Sequence, residues 1–247
     1  MIEKEFSLRC LDLCADAYGG EYGKPDLSWL TGPRTAFSYT KRKLLVLKTR
    51  VEGFFARDGK TLYLVFEGTD GFVDWLYDLY FRHRVKKLPN GAEEEIHAGF
   101  RDQWGIADNG ILAAITAQIG DIDTLVITGH SLGGALSCIA SRYIAEMFPD
   151  LKVIRRTFGS PIPGNKVFRD NLARLVPDAV DYQNSIDKSV DPVTVVPPEW
   201  AGYAQIPRFE LSGNRVDHWW KSIFFKCIGD TDAHYPSSYR SGLNKIA

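Results

Sequence analysis

A serine hydroxyl becomes a useful nucleophile only when a base takes its proton and an acid orients that base. The chain offers candidates for all three parts. Ser131 stands in Gly129-His130-Ser131-Leu132-Gly133, with a glycine two positions to either side. There are five histidines to serve as base. His130 abuts Ser131 and on a tight bend must point elsewhere, so it is expected to pack in the core. His83 lies in a basic run and is expected at the surface, and His97, before Ala98-Gly99-Phe100, reads as structural. That leaves His218 in VDHWW and His234 in DAHYPSSY; His234, nearer the carboxyl terminus, fits better and His218 is the reserve. For the acid, Asp187 and Asp191 both qualify. Asp191 opens DPVTVVPP, whose prolines would hold a carboxylate in place, and Asp187 is the fallback. Such a set performs acyl transfer: attack on a carbonyl, an oxyanion, and a covalent acyl intermediate.

Residues this far apart must be brought together by the elements that carry them. Leu125, Val126 and Ile127 form a β-branched apolar run of the kind buried on both faces of a sheet. From Leu132 onward, Leu136, Ile139, Ala140, Tyr143, Ile144 and Met147 recur at helical spacing until Pro149 closes the segment. Strand must become helix within two or three residues of Ser131, a strained turn that only small flanking residues allow. A Gly-x-Ser-x-Gly string arises by chance in about one chain in ten of this length; its setting between strand and helix makes it a nucleophile elbow. The helix start also offers free N–H groups and partial positive charge where an oxyanion would form.

Elsewhere, residues 3–18 read as an amphipathic helix, and VEGFFARDGKTLYLVFEGTD as a hairpin turning at Asp58-Gly59. A helix is predicted from about Asp102 to Ile119, a strand over Lys152–Thr157, a short helix from Pro163-Gly164-Asn165, and a strand over Val180–Asn184 that leads toward Asp191. Strands separated by helices define the α/β class, with a mostly parallel central sheet and helices on both faces. In such sheets functional groups gather at the carboxyl ends of strands. Thr69, Ser131 and Asp191 all fall just after predicted strands.

Composition sets outer bounds. The 247 residues, 45% hydrophobic and 25% charged, suit one domain spanning 1–247, and no Pro/Gly/Ser linker divides them. A formal net charge of −1 gives no field for nucleic acid. The run RHRVKK, followed by Glu93, Glu94 and Glu95, reads as a solvated face, with anionic lipid headgroups as the alternative partner for its bases. Cys10 and Cys14, among four cysteines, read as buried thiols on a helix. MIEKEFSLRCLDLCADAY lacks the basic and apolar regions of a signal peptide, and no run reaches the length of a membrane span. A cytoplasmic location is therefore expected, with secretion after removal of a leader as the alternative. Oligomeric state is not legible.

In order along the chain, LCADAY, VFEGTD, DWLYDL, IHAGF, GHSLGG, TFGSPIPGN, DPVTVVPP and AHYPSSY resemble the fungal-type triacylglycerol lipases, lipase class 3 of the α/β-hydrolase superfamily. GHSLGG is shared with many hydrolases; its combination with TFGSPIPGN and DPVTVVPP is specific. The resemblance implies the α/β-hydrolase fold and a serine carboxylic-ester hydrolase acting on acylglycerols, with phospholipase A1 and feruloyl-type esterase as variants. It implies a triad of Ser131, Asp191 and His234, with Thr69 and Leu132 as oxyanion donors. It implies no metal or organic cofactor, and a lipid or other ester substrate met at a lipid–water interface. DGFVDWLYDLYF corresponds to the family's lid at about 70–81, where Phe72, Val73, Trp75 and Leu76 would cover the site and meet substrate. Glu67 departs from the pattern, standing where the family has a base, and is expected to turn away toward a surface cation. VDHWWKSIFFKCIG reads as core, acyl-pocket wall or flap. A binding or signalling module that keeps the fold without the chemistry is the rival from another class.

Overall fold

The computed structural model describes residues 4–19, 22, 24–43, 47–68, 82–186, 189–213 and 231–246. Helix α1 (Lys4–Ala17) precedes strands β1 (Thr35–Lys43), β2 (Leu47–Asp58) and β3 (Thr61–Phe66). A ribbon of β4 (His83–Lys87) and β5 (Glu93–His97) runs straight into α2 (Ala98–Thr116). Then come β6 (Thr124–His130), α3 (Leu132–Met147), β7 (Lys152–Phe158), α4 (Lys166–Leu175), β8 (Ala179–Ile186) and the short β9 (Ser189–Val190). β10 (Arg208–Ser212) and α5 (Pro236–Asn244) complete the regular elements.

The main sheet has the order β1-β2-β3-β6-β7-β8-β10, with β9 folded back on β8. From β3 through β10 the pairings are parallel, while β1, β2 and β3 form an antiparallel flank. Period-two alternation explains how both faces are covered. On β3, Leu62, Leu64 and Phe66 join Leu125 and Ile127 of β6 in a core with Phe100, Trp104, Leu136, Ile139 and Phe168 from α2, α3 and α4. The intervening Tyr63, Val65 and Val126 face the other way, onto Leu11 and Leu13 of α1 and Tyr239 and Leu243 of α5. Each such buried side chain contributes about 1.5–3 kcal/mol through removal from water.

Several expectations need revision. The second helix begins at Ala98 rather than near Asp102, because β5 hands over to it without a loop and Phe100 and Trp104 already lie on its buried face. β1, β4, β5 and β10 were not anticipated. β4 is exposed along most of its length, so it carries no apolar run to read. His83, expected at the surface, is half-buried instead. Its ring stacks on Tyr203 at 4.4 Å and its Nε2 lies 3.0 Å from the Ala201 carbonyl. The reason is register: His83 pairs with the buried His97, at the end of the ribbon against which Tyr203 packs. His97 is buried against Phe100, and Cys10 and Cys14 are buried thiols.

Candidate active site

Ser131 links β6 to α3 with φ 57° and ψ −128°, and it is the one non-glycine residue with positive φ among the described residues. Such a conformation costs about 1–3 kcal/mol and needs surroundings that enforce it. Two backbone hydrogen bonds do so: the Ser131 N–H donates to the Phe158 carbonyl, and the Gly134 N–H donates to the Ser131 carbonyl, both at 2.9 Å. The flanking glycines are a packing requirement. A Cβ on Gly129 would overlap the Gly133 carbonyl, and one on Gly133 would overlap the Phe66 carbonyl at the end of β3. Leu132 opens α3, so its N–H has no acceptor within the helix.

Asp191 follows the reversal made by β8 and β9 and caps the 3-10 turn Pro192–Val195. It is fully buried. Its Oδ1 accepts from the Val193 N–H at 2.9 Å. Its Oδ2 pairs with His234 Nδ1 at 2.9 Å and accepts from the Tyr239 hydroxyl at 2.7 Å. Burial alone would raise the carboxyl's pKa, but the His234, Tyr239 and Val193 partners outweigh it and hold Asp191 below its ordinary range. The Tyr239 hydroxyl is pushed the opposite way by burial and by the adjacent carboxylate, which keeps it a donor.

His234 ends the 3-10 turn Thr231–His234, immediately before α5. That turn is fastened from two sides. The Asn184 side-chain amide donates to the Ala233 carbonyl and to Ser238 Oγ, each at 3.0 Å. His130 Nε2 lies 2.5 Å from the His234 carbonyl, and His130 Nδ1 lies 2.9 Å from the Tyr18 hydroxyl. A carbonyl can only accept, so Nε2 carries the proton and Nδ1 accepts from tyrosine. Burial, assisted by His234, lowers the His130 pKa to about 3, so this ring stays neutral. The rings of His130 and His234 lie 4.6 Å apart, which seats the His234 imidazole beside the elbow. Ser131 Oγ is buried and makes no hydrogen bond among the described residues.

The structure thus brings Asp191 and His234 together next to the bend carrying Ser131 and Leu132. Thr69, the lid residues Phe72, Val73, Trp75 and Leu76, the fallback Asp187, the reserve His218 and the aromatic segment around it lie outside the described residues. Glu67 is half-buried and, with Asp16, Arg34 and Glu52, lines an open recess. Sequence reasoning missed Tyr239, Tyr18 and Gly159. Gly159 has φ 63°, and a Cβ there would stand 2.9 Å from both Asp191 Oδ2 and His234 Nδ1. The motifs TFGSPIPGN, LCADAY and AHYPSSY contain all three, but nothing in them says what each touches.

Fold and site together define a member of the α/β-hydrolase superfamily. The profile of the family described as lipase (class 3) matches residues 63–200, and the chain belongs to that family. It is 30% identical over 177 residues to the secreted mono- and diacylglycerol lipase 1 of Fusarium solani, covering 69% of this chain and 50% of that protein. It is 31% identical over 149 residues to a lipase of Rhizopus niveus, covering 58% of this chain and 36% of that one. The chain therefore spans half or less of the length of these relatives. Lipase II from Rhizopus niveus superposes with a TM-score of 0.65 at 25% identity, covering 85% of this chain and 80% of that one. The expectation of a cytoplasmic location does not stand, since the Fusarium relative is named as a secreted protein. A leader is cut from a mature chain, so the residues with which a sequence begins carry no address. No helix among the described residues is long and apolar enough to cross a membrane.

Proposed function

We propose that this protein is a serine ester hydrolase that cleaves acylglycerol esters, with Ser131 as nucleophile, His234 as base and Asp191 as the acid that orients it. One observation carries the reading. The buried Asp191 carboxylate engages His234 Nδ1 at 2.9 Å, and that imidazole lies 4.6 Å from the ring of His130, the neighbour of a serine held at positive φ between strand and helix.

In the reaction, His234 Nε2 takes the Ser131 proton as Oγ attacks the ester carbonyl, and Asp191 stabilises the imidazolium that forms. The oxyanion is met by the N–H of Leu132 at the positive end of α3, with Thr69 as the second donor. Losing one such donor removes about 2.7–4 kcal/mol of transition-state stabilisation. The imidazolium then protonates the departing alcohol, and water, deprotonated by the same ring, releases the acyl group. Family membership and the named activities of the relatives support acylglycerols as substrate.

The test is a panel of p-nitrophenyl esters, acylglycerols and phospholipids offered to wild type and to Ser131→Ala, with fluorophosphonate labelling in parallel. The expected result is an adduct on Ser131, a preference for medium or long acyl chains, and a loss on the order of 10⁴-fold or more in the variant. Equal turnover by both proteins overturns the assignment. A folded wild type that neither turns over nor labels makes the chain a binding module.

A further inference from the structure

A second concavity lies away from the elbow. It encloses about 620 Å³, the size of a small-ligand site, and Lys41, Arg84, Lys86, Arg101, Asp102 and Tyr143 are among the residues that line it. Tyr143 stands 11 residues beyond Leu132 on α3, so the pocket is about 16 Å down that helix from Ser131. Its cations come from three separate elements: β1, β4 and the first turn of α2.

The charge in this pocket is not balanced. Asp102, the one carboxylate in the lining, is committed to Arg84 through a two-pronged contact at 3.0 and 2.9 Å. Arg84 Nη1 is left over from that fork. Lys86 pairs with Glu146 at 3.4 Å, and the buried Arg142, which reaches Glu146 at 2.5 Å, is matched as well by the buried Glu94 at 3.0 Å, so the excess charge rests on Lys41 and Arg101. Lys41 and Arg101 pair with no carboxylate among the described residues. Three cations also crowd one ring: Lys86 and Arg101 each lie 5.2 Å from the centroid of Tyr143 and Arg142 lies 4.8 Å from it. Like charges gathered around a hollow repel unless an anion enters it. The positive end of α2, which begins three residues before Arg101, adds to the same field.

We propose that this pocket is a phosphate-binding site. Guanidinium forks match phosphate oxygens, the lysines add point charges, and the Tyr143 hydroxyl supplies a neutral donor. Arg84 and Lys86 belong to the RHRVKK run, and the alternation of β4 puts both on the side of the strand that borders the hollow, where they remain exposed to solvent as that run was expected to be. The phosphate belongs either to an anionic lipid headgroup on the surface that the protein works against or to a soluble phosphoester. The site stands independently of the ester chemistry at Ser131.

The experiment uses the full chain carrying Ser131→Ala, so that no substrate is consumed. Inorganic phosphate binding is read by phosphorus NMR line broadening. Vesicle binding is read by co-sedimentation with phosphatidylcholine alone or mixed with phosphatidic acid. Both are repeated in Lys41→Gln/Arg101→Gln and in a charge-matched control, Lys24→Gln/Lys60→Gln, each checked for an unchanged near-ultraviolet circular dichroism spectrum. The expected result is phosphate broadening in the parent and the control and its loss in the pocket variant. Binding to phosphatidic acid vesicles then falls roughly fivefold per cation removed, or roughly 25-fold in all. Phosphate binding without vesicle binding supports the site and names a soluble phosphoester as its source. No phosphate binding by the parent, or equal losses in the pocket and control variants, overturns the proposal. If the pocket variant misfolds, Lys41→Gln alone carries the test, with a fivefold loss expected and no loss overturning it.

Discussion

Three donors converge on the two carboxylate oxygens of Asp191: the Val193 N–H, His234 Nδ1 and the Tyr239 hydroxyl. Of these, only the tyrosine can be removed without touching the backbone or the proposed base. A hydrogen bond to a charged acceptor is worth about 1.5–3 kcal/mol. In Tyr239→Phe the carboxyl loses one of the partners that oppose its burial, so its pKa rises toward the ordinary carboxylate range. The part of the acid limb of kcat/KM that this carboxylate sets, read with a soluble ester, should therefore move to higher pH, while turnover near neutrality, where the carboxylate stays ionised, should fall by less than about tenfold. A uniform loss at every pH with an unshifted limb would show that the hydroxyl merely fills space. At this scale the sequence was informative where chemistry restricts the residue type. Few histidines and late aspartates could serve, and Asp191 and His234 are the pair found in contact. Tyr239 was illegible because it is one of 11 tyrosines, and its reach depends on how α5 docks.

Gly159 shows how an element constrains the pair from beneath. It terminates β7 with φ 63°, and its missing Cβ leaves the space that Asp191 Oδ2 and His234 Nδ1 occupy. In Gly159→Ala the left-handed backbone costs about 1–2 kcal/mol, and the added methyl forces the two polar atoms apart. Thermal unfolding should show a lower Tm, and ester turnover should fall further than stability does. A variant as active as wild type would mean that the two side chains do not need that approach. The β6–Ser131–α3 unit was readable because a doubly buried strand and a buried helix both leave strong apolar patterns. β1, β4, β5 and β10 were not, since ribbons and sheet flanks keep polar faces and take their register from partners distant in sequence. Arg155 likewise sits in a strand that was foreseen, yet its buried pairing with Asp181 across β7 and β8 has no signature in either segment.

Acid should act on the whole molecule through His130. Its pKa is lowered from 6.5 to about 3 in the folded state, so between those values the unfolded chain binds a proton that the native protein refuses. Stability therefore falls as pH drops through this window, by about 1.4 kcal/mol per pH unit from this one group. Below the ordinary carboxylate range, Asp181 and Asp191 add to the decline, because their depressed pKa values contribute stability that is lost as they protonate. Chemical denaturation of wild type and His130→Asn from pH 7 to pH 4 checks this, and the variant should show the flatter profile. Equal slopes would acquit the imidazole. The first and last helices are tied together: Lys4 Nζ donates to the carbonyls of Asn244 and Ile246, each at 2.8 Å, and Arg240 pairs with Asp12. His234 is delivered by that same closing segment. His234 comes 103 residues after Ser131, so while a ribosome still holds that segment the proposed base has not reached the elbow, and the partly made chain lacks the pair on which the proposed chemistry depends.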